Sequence, residues 1–77
     1  MTTIDFELRG EHIALDALLK ATGLAPSGGT ARMFITQGLV QVDGQTELRK
    51  TAKIRDGQRV EFEGALVRVS SPAGSAS

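Results

Sequence analysis

Between residues 27 and 44 the chain runs S-G-G-T-A-R-M-F-I-T-Q-G-L-V-Q-V-D-G, and these eighteen residues leave little freedom over what they can form. Ser27 is suited to be a helix N-cap, because its hydroxyl can accept from a backbone N–H of the first turn, and Gly28 and Gly29 leave that turn's N–H groups unshielded. Ala31, Phe34, Ile35 and Gly38 recur at helical spacing, which makes one side of this helix apolar, while Arg32 projects from another. Gly38 is the expected left-handed stop, with Leu39 as its apolar partner. Val40 and Val42 alternate with Gln41 as a half-buried strand does, and Asp43-Gly44 is a two-residue hairpin turn.

The flanking segments follow the same logic. Ile4, Phe6 and Leu8 alternate with acidic residues, so residues 3–8 are expected to form a strand with one buried face. From 11 to 22 the spacing becomes helical: Leu15, Leu18, Leu19 and Thr22 share a side, and Asp16 and Lys20 form an i, i+4 pair on another. Gly23 should end this helix, which places His12 at its mouth, and Ala25-Pro26 is too short a connector to let the two helices separate. Residues 45–48 are the expected return arm of the hairpin. Ile54 is a lone apolar residue between Lys53 and Arg55, so it can point inward while both cations point out. Asp56-Gly57 and Glu63-Gly64 mark turns around Val60 and Phe62, and Leu66, Val67 and Val69 continue the apolar pattern. The expected organisation is one domain over residues 1–70, with 71–77, a run of small and polar residues, as a disordered tail.

A chain of 77 residues can bury only a modest core. Without cysteine it has no disulfide framework, no thiol nucleophile and no cysteine-based metal site. Acidic residues stand where a secretory signal would be basic, and no apolar run is long enough to cross a bilayer; a soluble, cytoplasmic protein is expected. Nine basic and nine acidic residues cancel, but unevenly. Residues 27–60 hold Arg32, Arg49, Lys50, Lys53, Arg55 and Arg59 against Asp43, Glu47 and Asp56, so a neutral protein can present a basic face.

Catalysis needs convergent acids, bases, nucleophiles or metal ligands, and here there is one histidine, scattered carboxylates and no tyrosine. No enzyme, cofactor or metal is therefore expected. The Ser27-Gly28-Gly29 start has two readings: simple capping and close packing, or a phosphate seat in which bare N–H groups and the helix dipole face an anion beside Arg32. The sequence lacks the G-x-x-x-x-G-K-[ST] pattern of a nucleotide loop. Arg49, Lys50, Lys53 and Arg55 could be only a solvated face, but they follow a hairpin that must return beside the second helix. Phe6, Phe34 and Phe62 fall at expected core positions, so no aromatic platform for single strands is available. A nucleic acid bound here would be held by phosphate and shape, which suits duplex or folded RNA.

Taken together, L-D-A-L-L-K-A-T-G-L-A at 15–25, S-G-G-T-A-R at 27–32, Ile35, Gly38, Val40, Val42-Asp43-Gly44 and D-G-Q-R-V-E-F at 56–62 resemble the RNA-binding domain named after small-subunit ribosomal protein four, the S-four or alpha-L motif. The resemblance spans residues 12–63 and is strongest to small stand-alone bacterial proteins with S-G-G-x-A-[KR] and R-[RK]-x-x-K stretches. It implies an α+β fold in which two packed helices, arranged like a helix-turn-helix, join a small, mostly antiparallel sheet. By position it implies an RNA-binding face of Ser27, Gly28, Gly29, Arg32, Val42, Asp43, Gly44, Arg49, Lys50 and Lys53. The chain departs from the family at Ala14 and Gly28, where arginine is frequent, and at Asp43, where asparagine is usual. The implied function is non-catalytic binding of structured ribosomal or transfer RNA. The alternatives are an adaptor docking an acidic partner on a ribosome-associated or RNA-processing factor, and a DNA-binding two-helix unit. The nucleic-acid readings require the cations after the hairpin and the open end of the second helix to share one side of the molecule.

Overall fold

A computed structural model describes residues 2–71. Residues 72–77 of the expected tail lie outside the described residues. In chain order the elements are β1 (Thr2–Glu7), β2 (His12–Ala14), α1 (Leu15–Ala21), α2 (Gly28–Thr36), β3 (Val40–Val42), β4 (Gln45–Thr46), β5 (Lys53–Arg55), β6 (Arg59–Phe62) and β7 (Ala65–Ser70). The fold is α+β: α1 and α2 pack together and against a five-stranded sheet of order β1-β7-β6-β3-β4, while β2 and β5 form a separate antiparallel pair.

The sheet is antiparallel except at one edge. Two tight turns, Asp43-Gly44 and Glu63-Gly64, fold β3 onto β4 and β6 onto β7. In both turns the two central residues have positive φ, 52° and 83° in the first, the geometry that matches strand twist and that glycine adopts without strain. β1, by contrast, lies parallel to β7, with Ile4 opposite Val67 and Phe6 opposite Val69. It covers residues 2–7 rather than 3–8, and Leu8 is buried just beyond it, with its N–H donated to the Ser70 carbonyl.

The first helix begins at Leu15, not at residue 11. Residues 12–14 are extended because Ile13 pairs with Ile54 across the β2–β5 ladder, which places half-buried Ile13 beside the fully buried Ile54. His12 is consequently an exposed strand residue opposite Arg55 and not a helix-mouth residue. The return arm of the hairpin is also shorter than expected, 45–46 instead of 45–48.

Apolar side chains from every layer meet in one core. Leu15, Leu18 and Leu19 of α1, Ile35 of α2, Val40, Ile54, Val60 and Val67 are fully buried. Phe34 of α2 stacks on Phe62 of β6 with ring centroids 4.7 Å apart, which joins the helix layer to the sheet. Lys53 and Arg55 project outward on either side of Ile54, as strand alternation requires.

Ile54 is the only inward anchor of β5, so truncation there removes transfer energy and leaves a cavity. Ile54→Ala is expected to lower unfolding free energy by about 2–5 kcal/mol in urea titration, with an unchanged denaturant slope.

Candidate nucleic-acid interface

α2 starts as its sequence dictates. Ser27 is extended, with φ −153° and ψ 164°, and its Oγ accepts from the Thr30 N–H at 3.2 Å. The N–H groups of Gly28 and Gly29, too early in the helix to find an intrahelical acceptor, have no acceptor among the described residues. The helix ends on Gly38, φ 78°, where Gly38 N–H reaches the Ile35 carbonyl and Leu39 N–H the Phe34 carbonyl. These two bonds satisfy carbonyls that the last turn would otherwise leave open. Leu39 itself stays 44 % exposed, so its backbone rather than its side chain closes the cap.

Arg32, one turn into α2, leans back over the helix start. A Cβ placed on Gly28 would lie 3.4 Å from one terminal guanidinium nitrogen, and one placed on Gly29 would lie 3.9 Å from the other. The guanidinium is held there by Asp16 of α1: Arg32 Nη1 donates to Asp16 Oδ2 at 3.1 Å. The sequence pairs Asp16 with Lys20 at i, i+4; the structure pairs it with Arg32 instead, because α2 crosses beside the first turn of α1.

That first turn also fixes the basic loop. Ala14, the N-cap of α1, has no side chain to offer, so Leu15 N–H donates to the Ala52 carbonyl and Asp16 N–H to the Lys50 carbonyl, at 2.9 and 3.1 Å. A continuous bonded path therefore runs from the Lys50 backbone through Asp16 to Arg32 and the open turn of α2. Ser27, Gly28, Gly29 and Arg32 share the start of α2, the Lys50 backbone is tied to that region through Asp16, and Arg49 and Lys53 line a shallow depression with Thr51 and Ala52.

The cations differ in their commitments. Arg49 is gripped by Glu47, whose carboxylate accepts from Arg49 Nε at 3.2 Å, from Nη2 at 3.3 Å and from the Arg49 backbone N–H. These bonds hold the Glu47 carboxyl below its usual range and raise the guanidinium further. Arg49 is still 80 % exposed, so one face of its planar fork is open. Lys50 and Lys53 are exposed, and no ion pair or side-chain hydrogen bond engages their ammonium groups among the described residues.

The Val42-Asp43-Gly44 turn is arranged otherwise. Val42 packs half-buried against the core, and Asp43 commits its carboxylate to the β5–β6 connection: Gln58 Nε2 donates to Oδ2 and the Arg59 N–H to Oδ1, both at 3.0 Å. Its own N–H reaches the Arg59 carbonyl at 2.8 Å. The hydrogen bonds of this turn thus run to residues 58 and 59 and not to the start of α2. Gly44 is exposed and open on its Cβ side.

Asp16 and Glu47, which orient the two arginines, are not among the residues the sequence points to. Helical spacing gives Asp16 an apparent partner within its own helix, and only the short 22–27 link hints at one outside it. Among the described residues no group of three histidines or carboxylates could hold a metal, and no helix is long and apolar enough to cross a membrane.

Comparison with known proteins agrees with this architecture. Residues 6–70 match the family model of the S4 domain. An Escherichia coli K12 protein named "Putative RNA-binding protein YbcJ" is 47% identical over 58 residues, which cover 75% of this chain and 83% of that one. A Shigella flexneri protein, also YbcJ, matches to the same extent. The solution structure of Escherichia coli YbcJ, described as revealing an alpha-L motif involved in RNA binding, superposes with a TM-score of 0.65 at 41% identity over 91% of this chain and 87% of that one.

The hydrogen bonds to Asp43 carry a pH signature. Those from Gln58, then from the Arg59 backbone, hold its carboxyl below the ordinary value of 3.8, so the folded state gains from ionised Asp43 above that value and loses the gain as pH falls through the lower, folded one. Thermal unfolding followed by circular dichroism is expected to show a midpoint that declines below about pH 4, and a shallower decline in Asp43→Asn.

Proposed function

The chain belongs to the S4 domain family, and from that premise we propose that it is a non-catalytic RNA-binding protein that grips structured RNA, of ribosomal or transfer type, through its backbone phosphates. The observation that carries this reading is the bonded path from Lys50 through Asp16 to Arg32 and the N–H groups of Gly28 and Gly29, which have no acceptor among the described residues. A helix start whose dipole favours anions and a backbone-tethered basic segment linked to it support a joint phosphate seat. The proposed contact residues are Ser27, Gly28, Gly29, Arg32, Arg49, Lys50 and Lys53. Val42, Asp43 and Gly44 belong to the proposed face as the turn that sets its spacing, anchored by the bonds of Asp43 to Gln58 and Arg59.

The mode of recognition follows from what the side chains offer. Phe34 and Phe62 stack on each other within the fold and Phe6 packs against the core, so base stacking on exposed rings is not part of the proposal. Phosphate contacts position a protein on RNA without reading sequence, and a shape-reading mode suits duplex and folded RNA. With zero net charge, long-range steering toward a polyanion is weak. The family relationship and the relatives' RNA-binding names support the same reading, and a cytoplasmic setting goes with it.

A second reading, an adaptor for an acidic protein, is favoured by Leu48, which is 58 % exposed between ion-paired Glu47 and Arg49. Pull-down with and without ribonuclease separates the two: partners retained after RNA is destroyed support the adaptor.

If about three to five phosphates are contacted, fluorescence anisotropy with an RNA hairpin will show log K falling against log salt with a slope of about −2 to −4. Arg49→Glu combined with Lys50→Glu is expected to weaken binding more than tenfold at low salt and to flatten that slope by about 2. Binding and slope that survive this double reversal would remove the proposed face.

A further inference from the structure

Asp16 poses an electrostatic question. It puts a negative charge beside the groups proposed to receive phosphate, where charge alone would favour its absence. Its side chain is 14% exposed while that of Arg32 is 48% exposed, so the pair sits at the surface with the carboxylate side tucked in. The guanidinium half of the pair is open to solvent, which limits what the pair adds to folding stability. The carboxylate also serves the α1 start: Oδ1 accepts from the Ala17 N–H at 2.8 Å, while the N–H groups of residues 15 and 16 go to the Ala52 and Lys50 carbonyls.

What the carboxylate does is aim. Arg32 carries five N–H donors on a rigid fork, and Asp16 engages Nη1. The fork then lies against the first turn of α2, with the other terminal nitrogen toward Gly29. A phosphate oxygen arriving at the Gly28 and Gly29 N–H groups meets guanidinium donors already in place. A long side chain fixed beforehand does not have to be ordered when the ligand binds. The same residue's N–H, on the Lys50 carbonyl, keeps the basic loop in register with that fork.

We propose that Asp16 is a positioning residue for RNA: its ion pair with Arg32 presets the guanidinium over the open turn of α2, and its backbone bond to Lys50 joins the loop cations to the same seat. This rests on the phosphate-gripping function proposed above. Its ligand is the paired phosphate oxygens of a folded RNA backbone, met by a fork and backbone N–H groups together.

The test uses opposite signs. Asp16→Asn keeps size and the backbone bond to Lys50 but raises the net charge by one, so if charge alone mattered, RNA would bind more tightly and with a steeper salt slope. Positioning predicts the reverse: affinity for an RNA hairpin in fluorescence anisotropy falls about three- to tenfold, the factor associated with immobilising one side chain on binding. In an Arg32→Ala background, Asp16→Asn should bring no further loss, because the residue acts through Arg32. The Arg32 Nε–Hε heteronuclear NOE of the free protein should drop in Asp16→Asn while its amide spectrum keeps the dispersion of the folded protein. Unchanged or tighter binding by Asp16→Asn, or an equal loss in the Arg32→Ala background, overturns the positioning role and leaves the RNA-binding function standing. Failure of the unaltered protein to bind the hairpin overturns that function, and this role with it.

Discussion

The start of α1 is closed by another part of the chain, and the rest of the arrangement depends on that closure. A helix beginning after Ala14 has no N-cap side chain, and Asp16 Oδ1 takes only the Ala17 N–H, which leaves those of residues 15 and 16 to be capped. The carbonyls of Lys50 and Ala52 take that role, so the residues 49–53 cannot swing free as a solvated loop. Ile54, fully buried immediately afterwards, anchors the same segment from the core side. Between the two, the cations of this segment are held at the surface at a fixed place relative to the helix pair.

The second constraint is the division of labour among the charged groups. Two arginines proposed for the interface, Arg32 and Arg49, are each engaged by one carboxylate, and the two lysines are engaged by none among the described residues. Paired arginines lend direction, because a planar fork has a defined edge; lysines lend charge on a flexible stem. A neutral protein that cannot rely on long-range attraction has more to gain from direction than from further charge. Asp43 is a third acid with a separate role. It ties the first hairpin turn to the β5–β6 connection, and so relates the sheet to the small β2–β5 pair.

Much of this is legible in the residues alone. The Ser27 cap, the Gly38 stop, the two-residue turns and the inward Ile54 between outward cations all form as expected. The start of α1 is not, because Leu15, Leu18 and Leu19 give a helical period that extends plausibly upstream, and nothing in residues 11–14 announces that Ile13 will pair with Ile54. The start of α2 and the basic loop are linked through Asp16, by its ion pair with Arg32 and its N–H bond to the Lys50 carbonyl. The carboxylates that orient them escape a reading by spacing, since Asp16 finds its partner 16 positions away on another helix.

The sequence by itself determined the local events: where α2 begins and ends, where the chain reverses, and which residues of β1, β3, β5 and β6 face inward. These follow from side-chain and backbone preferences that act within a few residues. Only the tertiary structure decided that β1 runs parallel to β7, that residues 12–14 extend instead of coiling, and that the Lys50 and Ala52 carbonyls cap α1. Every residue has a carbonyl, so no side-chain pattern marks the one that will be used. Its choice is settled when the buried leucines, valines and isoleucines pack into a single core and bring distant backbone into reach.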